Sequence, residues 1–231
     1  MPDEIKEKKL NTYVIIPVFN EEKVIFDVVW GIKKSGYNNI IIVDDGSADN
    51  TYDKVKNIDG VIALRHFLNR GKGAAVKTGI EAAKILGADA VITIDGDGQH
   101  DPGDIGKMEE LIYGGYDAVL GVRFENGNSI PFLNIVYNKI GNFFAWLIYG
   151  LWVSDSQSGF RAYSEKTIEL LDAKTDRYEY DSEIIGEIKK NKLNFTEVPI
   201  KVRYTEYSKN KKDKQNFKNG VKTLIRMLIC E

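Results

Sequence analysis

Residues 90–102 read Ala90-Val91-Ile92-Thr93-Ile94-Asp95-Gly96-Asp97-Gly98-Gln99-His100-Asp101-Pro102. An unbroken apolar, β-branched run that passes at once into acids and glycines is the pattern of a strand buried on both faces, with polar groups delivered at its carboxyl end. Four further runs share the pattern: Tyr13–Val18, Ile40–Val43, Val61–Leu64 and Ala118–Val122. Amphipathic stretches at Glu21–Lys34, Asp49–Lys56, Gly71–Leu86 and Asp101–Tyr113 lie between them. This alternation predicts an α/β fold: a mainly parallel central sheet, Rossmann-like, with helices on both faces and ligands at the carboxyl ends of the strands. Past residue 130 the pattern becomes a long apolar helix (Leu133–Val153), a helix around Asp181–Lys190, a strand Phe195–Val202 and a terminal basic helix. No repeat or linker divides the chain, so one domain is expected over residues 1–210, with a basic amphipathic helix over 211–231.

Composition narrows the function classes. The 231 residues are 43% hydrophobic, enough for a core. Their 32 basic and 34 acidic side chains nearly cancel, which argues against a whole-domain grip on nucleic acid. The one cysteine, Cys230, excludes an intramolecular disulfide and a cysteine metal site, and fits a reducing compartment. Met1–Leu10 is too charged for a signal peptide. The longest run without charged or strongly polar side chains, Phe143–Val153, falls short of the roughly 20 residues of a spanning helix.

Two acidic turns then carry the chemistry. Asp44-Asp45-Gly46-Ser47 follows the run Ile40–Val43, where carboxylates can accept from a base N–H and a ribose hydroxyl. Turn and cap chemistry accounts for one such acid but not for an adjacent pair. In Asp95-Gly96-Asp97-Gly98-Gln99, two carboxylates and an amide offer three oxygen ligands on one side of an extended turn, suited to Mg²⁺ or Mn²⁺ holding phosphates. Asp101-Pro102 reads as a helix start, and His100 as a turn residue. Arg70-Gly71-Lys72-Gly73 is not a Walker loop, since Val76 stands where glycine is required. It leaves a helix N-terminus whose Lys72 serves either nucleotide contact or close packing. The first strand is followed by Pro17-Val18-Phe19-Asn20-Glu21 rather than by a glycine-rich dinucleotide loop, which argues against a dehydrogenase or a nucleotidyltransferase.

Taken in order, Pro17-Val18-Phe19-Asn20-Glu21-Glu22, Asp44-Asp45-Gly46-Ser47, Gly71-Lys72-Gly73, Asp95-Gly96-Asp97-Gly98-Gln99, Gly121-Val122-Arg123-Phe124 and Asp155-Ser156-Gln157-Ser158-Gly159-Phe160-Arg161 resemble the inverting family 2 glycosyltransferases of GT-A fold. The subgroup is that of dolichol-phosphate mannose synthase and polyprenyl-phosphate glucosyltransferases, and the likeness runs from about Tyr13 to Lys209. It implies that Pro17, Phe19 and Glu21 line a nucleotide pocket, with Asp44 reading the base, Asp45 beside it and Lys72 close by. It also implies a metal on Asp95, Asp97 and Gln99, with Arg123, Gln157 and Arg161 facing an acceptor phosphate. Arg203, Ser208 and Lys209 would close over the diphosphate, and Phe19 stands where many relatives have tyrosine. The implied reaction passes a hexose from GDP-mannose or UDP-glucose to a polyprenyl or dolichyl phosphate in one in-line displacement. Asp97, Asp155 and Arg161 are its expected catalytic residues; Asp155 serves as a base if one is needed, or orients Arg161. Saccharide or protein acceptors, and a non-catalytic nucleotide-sugar-binding module, are the alternatives.

Two segments point to a membrane surface. The helix Leu133–Val153 is apolar beyond one stripe and carries Tyr137, Trp146 and Tyr149. The segment Lys201–Lys218 holds seven basic against two acidic residues, and an amphipathic stretch follows it with Phe217, Val221, Leu224, Ile225 and Leu228 on one face. A peripheral location on the cytoplasmic face of a membrane is expected, with a separate membrane subunit or homo-oligomer as possible company.

Overall fold

A computed structural model describes residues 10–123 and 132–203, with residues 132–140 described as backbone alone. Its elements are β1 (Thr12–Val18), α1 (Ile25–Lys34), β2 (Ile40–Asp44), α2 (Thr51–Val55), β3 (Val61–Arg65), α3 (Lys72–Ile85) and β4 (Ala90–Thr93). After a 3₁₀ turn at Pro102–Asp104 come α4 (Ile105–Tyr113), β5 (Ala118–Arg123), α5 (Phe132–Tyr149), β6 (Arg161–Ser164), α6 (Glu165–Leu170), α7 (Glu179–Lys190) and β7 (Phe195–Ile200).

The strands form one sheet in the order β3-β2-β1-β4-β6-β5-β7. Neighbours are parallel except around β6, which runs antiparallel to both β4 and β5. Alternate strand residues serve opposite faces. Val14, Ile16, Ile42 and Ile92 pack with Val28, Val29 and Ile32 of α1 and Ile105 and Met108 of α4. Ile15, Ile41, Val43 and Val91 pack with Val76 and Ile80 of α3 and Ile184, Ile185 and Ile188 of α7. Burial of both faces is why these strands read as continuous apolar runs.

The expected α/β architecture is present, with departures at β6, at several helix starts and at some element ends. β6 and α6 had no forecast: Arg161-Ala162-Tyr163-Ser164 is too short and too polar to read as a strand. α1 begins four residues later than its amphipathic pattern, because Asn20 adopts φ 55° and residues 21–24 form a turn closed by the N–H groups of Val24 and Ile25 on the Glu21 carbonyl. α5 ends at Tyr149, where Gly150 turns the chain with φ 67°. The basic terminal helix and the Ser208-Lys209 pair lie outside the described residues.

Candidate active site

The carboxyl ends of β1, β2 and β4 share one rim. Pro17 is buried beside Val43, and Phe19 beyond it is 39% exposed. The left-handed Asn20 ties the β1 loop to the β2 loop, donating its N–H to Ser47 Oγ (2.9 Å) and accepting from the Ala48 N–H (2.9 Å). Glu21 is buried, its N–H on Thr51 Oγ1 at 2.8 Å.

Asp44 ends β2 with no exposed surface. Its Oδ1 accepts from the Ser47 N–H (3.1 Å). Arg65 Nε stands 3.0 Å from Oδ2 but off the N–H axis, so that oxygen gains a counter-charge and no hydrogen bond. Asp45 turns the other way. Oδ1 takes His66 Nδ1 (2.7 Å) and the Arg70 N–H (3.0 Å), and Oδ2 takes the Gly71 N–H (2.7 Å). The carboxylate expected beside the nucleotide is thus employed inside the protein, fixing the loop that delivers Lys72 at the start of α3.

Lys72 Nζ lies 2.8 Å from Asp95 Oδ1 and 2.9 Å from Asp181 Oδ2. Burial alone would drive the ammonium toward neutrality, but the two carboxylates outweigh it and raise its pKa. Burial likewise works against the Asp95 carboxylate, and is overcome by Lys72 and by His100, whose Nε2 is 3.2 Å from Oδ2; the carboxyl is held well below the usual range. Gly159 closes this group: a Cβ there would stand 2.3 Å from Lys72 Nζ and 2.5 Å from Asp95 Oδ1. Asp97 accepts from the backbone N–H of Gln99 (3.0 Å) and from its amide nitrogen.

Asp95 and Asp97 fit a hard divalent cation that a substrate helps to hold. Among the described residues no three His, Cys, Asp or Glu side chains gather as a metal cage. Two carboxylates, one of them kept ionised, are the protein share typical of Mg²⁺, which keeps waters and takes its remaining ligands from phosphates.

Across the rim, β5 ends in Arg123. Its Nε donates to Asp155 Oδ2 (2.7 Å) and its Nη2 to Oδ1 (2.8 Å), a bidentate pair with 21% and 6% of the two side chains exposed. Burial would raise the Asp155 pKa, but Arg123 and the Arg123 and Gln157 N–H groups lower it below the ordinary aspartate value. The loop is clamped from both sides: Asn142 of α5 bonds Ser154 O and the Ser156 N–H, and Glu197 of β7 accepts from Ser154. Gln157 is exposed, its amide nitrogen 2.5 Å from where a Cβ on Gly141 would stand.

Arg161 corrects an expectation. At 1% exposure in the first position of β6, it donates to the carbonyls of Ser158 (2.9 Å) and Ser156 (2.8 Å) and so braces this loop from within; it is not placed to meet an acceptor, and Asp155 orients Arg123 in its stead. Arg203 pairs with Asp101 Oδ2 at 3.0 Å, and its N–H bonds the Gln99 carbonyl at 2.7 Å, bringing the chain back to the Asp97–Gln99 turn. Sequence reasoning missed two residues. His100 reaches Asp95 and packs against Phe160, the ring centres 5.3 Å apart and the planes inclined at 57°. Asp181 was legible only as part of the acidic start Glu179-Tyr180-Asp181 of a helix.

Beyond the loop, Phe143, Trp146, Leu147 and Trp152 are exposed together, with the Trp146 and Trp152 rings 6.3 Å apart. Among the described residues no helix is long and apolar enough to cross a membrane.

The family model for Glycosyl transferase family 2 matches residues 13–171. UDP-N-acetylglucosamine--dolichyl-phosphate N-acetylglucosaminyltransferase of Methanococcus voltae is 41% identical over 242 residues, 95% of each chain. Polyprenol monophosphomannose synthase of Mycolicibacterium smegmatis is 25% identical over 222 residues, 91% of this chain and 84% of its own. In structure, glucosyl-3-phosphoglycerate synthase of Mycobacterium tuberculosis, solved with Mn²⁺, UDP and glucosyl-3-phosphoglycerate, superposes with a TM-score of 0.68 at 16% identity, over 95% of this chain and 80% of that one. The fold is therefore GT-A-like, as the resemblance implied. A family model spanning more than half of the chain, and a relative 41% identical from end to end, establish that the chain belongs to glycosyl transferase family 2 and is a glycosyltransferase.

Proposed function

We propose that the protein transfers a sugar from a nucleotide diphosphate donor to a polyprenyl or dolichyl phosphate at a membrane surface, with inversion and with a divalent metal. The observation that carries this reading is the Arg123–Asp155 pair. A hydroxyl acceptor must lose a proton, and Asp155 is a poor base because Arg123 occupies both of its oxygens and lowers its pKa. An acceptor phosphate is ionised near neutral pH and needs no base, only a cation to receive it. Arg123, oriented by Asp155 and partly exposed, supplies that cation. The named activities of the two sequence relatives support the same acceptor class.

On the donor side, Pro17, Phe19, Glu21 and Asp44 form the nucleoside wall in this reading. The leaving diphosphate gains negative charge, which the Lys72 ammonium would stabilise. Mg²⁺ or Mn²⁺, held by Asp95 and Asp97 with Gln99 beside them, would supply further positive charge to the phosphate oxygens. Arg203, Ser208 and Lys209 are proposed to cover the diphosphate from the segment that returns past Gln99. The exposed ring cluster of Phe143, Trp146 and Trp152 suits a membrane interface, where aromatic side chains are favoured. It is the proposed contact with the bilayer that carries the acceptor, on its cytoplasmic face.

The test is incubation of purified protein with Mn²⁺ or Mg²⁺, a short polyprenyl phosphate and labelled UDP-glucose, UDP-N-acetylglucosamine or GDP-mannose in turn. Metal-dependent label in the organic phase is expected from one donor. Label appearing only on added saccharides would overturn the lipid-phosphate acceptor.

A further inference from the structure

Asp181 lies in the first turn of α7, is 5% exposed, and meets Lys72 from 109 positions along the chain. Its link to the site runs through the Lys72 ammonium, which it shares with Asp95 at nearly equal distances, 2.9 and 2.8 Å. Asp95 has both oxygens engaged, Oδ1 by Lys72 and Oδ2 by His100. A divalent cation bound through Asp95 Oδ1 shares that oxygen with the ammonium or displaces it, and one bound through Oδ2 still meets the repulsion of the ammonium a few ångströms away. The ammonium has little freedom to retreat on the side of Gly159, whose backbone is close enough that even a methyl group would strike it. The direction left open by a partner is toward Asp181.

We propose that Asp181 is a positioning residue: by drawing the Lys72 ammonium toward α7 it loosens the ion pair on Asp95 and sets how tightly Asp95 and Asp97 take a divalent cation. Lys72 then acts as a resident counter-charge that yields to metal and meets the donor phosphates from the α7 side. The inference rests on the metal reading of Asp95 and Asp97 given above.

Direct Mn²⁺ binding tests it, read as loss of the free-ion electron paramagnetic resonance signal, with and without UDP. The four proteins are wild type, Asp181→Asn, Lys72→Met and the double variant, each checked for fold by circular dichroism. Asp181→Asn is expected to weaken Mn²⁺ binding about tenfold, while Lys72→Met tightens it; in the Lys72→Met background the Asp181 change should matter less than about threefold. An equal factor in both backgrounds would reduce Asp181 to a distant charge and overturn the proposal, as would no change in either. Asp181→Ser replaces the amide in the same cycle if that variant misfolds. Failure of wild type to bind Mn²⁺ with or without UDP would remove the metal reading itself. Normal wild-type binding that ignores Asp181 would remove this inference alone.

Discussion

Arg123 holds Asp155 by both ends of its guanidinium fork, Nε on Oδ2 and Nη2 on Oδ1. A lysine keeps the charge but cannot make two parallel bonds. Arg123→Lys should lower kcat/KM for the lipid phosphate by about 10- to 100-fold, the scale of one charged hydrogen bond, and leave nucleotide affinity unchanged. Calorimetric titration with UDP and GDP is the control; a matching loss there would move Arg123 to the donor side.

Asp155 and Asp95 also set a pH dependence. Both carboxyls are lowered by folding, so the unfolded chain binds more protons as the pH falls past the ordinary aspartate value of about 3.9. Their stabilisation is fully present above that value and is lost as the pH drops toward the folded-state values. Denaturation midpoints should therefore be flat with respect to these two groups near neutrality and fall at acid pH. Asp155→Asn should show a shallower acid fall than wild type, and parallel curves would mean that the pair adds no linkage.

Gly159→Ala separates fold from site. The atoms its Cβ would strike are the ends of two side chains, Lys72 Nζ and Asp95 Oδ1, which can move without disturbing the backbone. Melting temperature is expected to stay within a few degrees of wild type, while donor turnover falls at least about 100-fold as the ion pair is pushed apart. Wild-type turnover would show that the pair can rearrange without cost.

Asp97→Ala removes one of the two carboxylates proposed for metal. It should abolish transfer with an unchanged circular dichroism spectrum, since among the described residues Asp97 bonds only its neighbour Gln99. Substantial residual turnover would sink the assignment.

The aromatic cluster predicts a lipid phenotype. Replacing Trp146 and Trp152 with alanine should reduce co-sedimentation with anionic liposomes and raise the apparent KM for a long-chain polyprenyl phosphate more than for a water-soluble short one. Equal effects on both acceptors would argue that the cluster touches the head group or merely supports α5.

What could be read in advance follows from how local each signal is. β1, β2 and β4 were legible because their neighbours bury both faces, leaving unbroken runs such as Ile40–Val43. The acidic turns were legible because a strand end is itself a local feature. β6 was hidden, since its first residue is a buried arginine whose partners are carbonyls and not apolar contacts. The partners of Asp45 were hidden for a similar reason: the loop 66–71 that it fixes lies more than twenty residues away, and nothing in Asp44-Asp45-Gly46 encodes it. The Lys72–Asp181 contact is longer in range still, and a single sequence holds no trace of it.

The reversal of β6 has a consequence for how such enzymes can diversify. Because this strand enters the sheet head to tail, Thr93 opposite Arg161, the loop feeding it arrives on the same rim where the parallel strands end. The proposed acceptor groups Arg123 and Gln157 come from β5 and the loop that precedes β6, whereas the proposed donor groups come from the chain before β5 and again from Arg203 after β7. The two inventories touch chiefly where Gly159 meets Lys72 and Asp95. A change at Gly159 therefore reaches both sets at once, and the loop before β6 cannot be rebuilt there without touching Lys72 and Asp95.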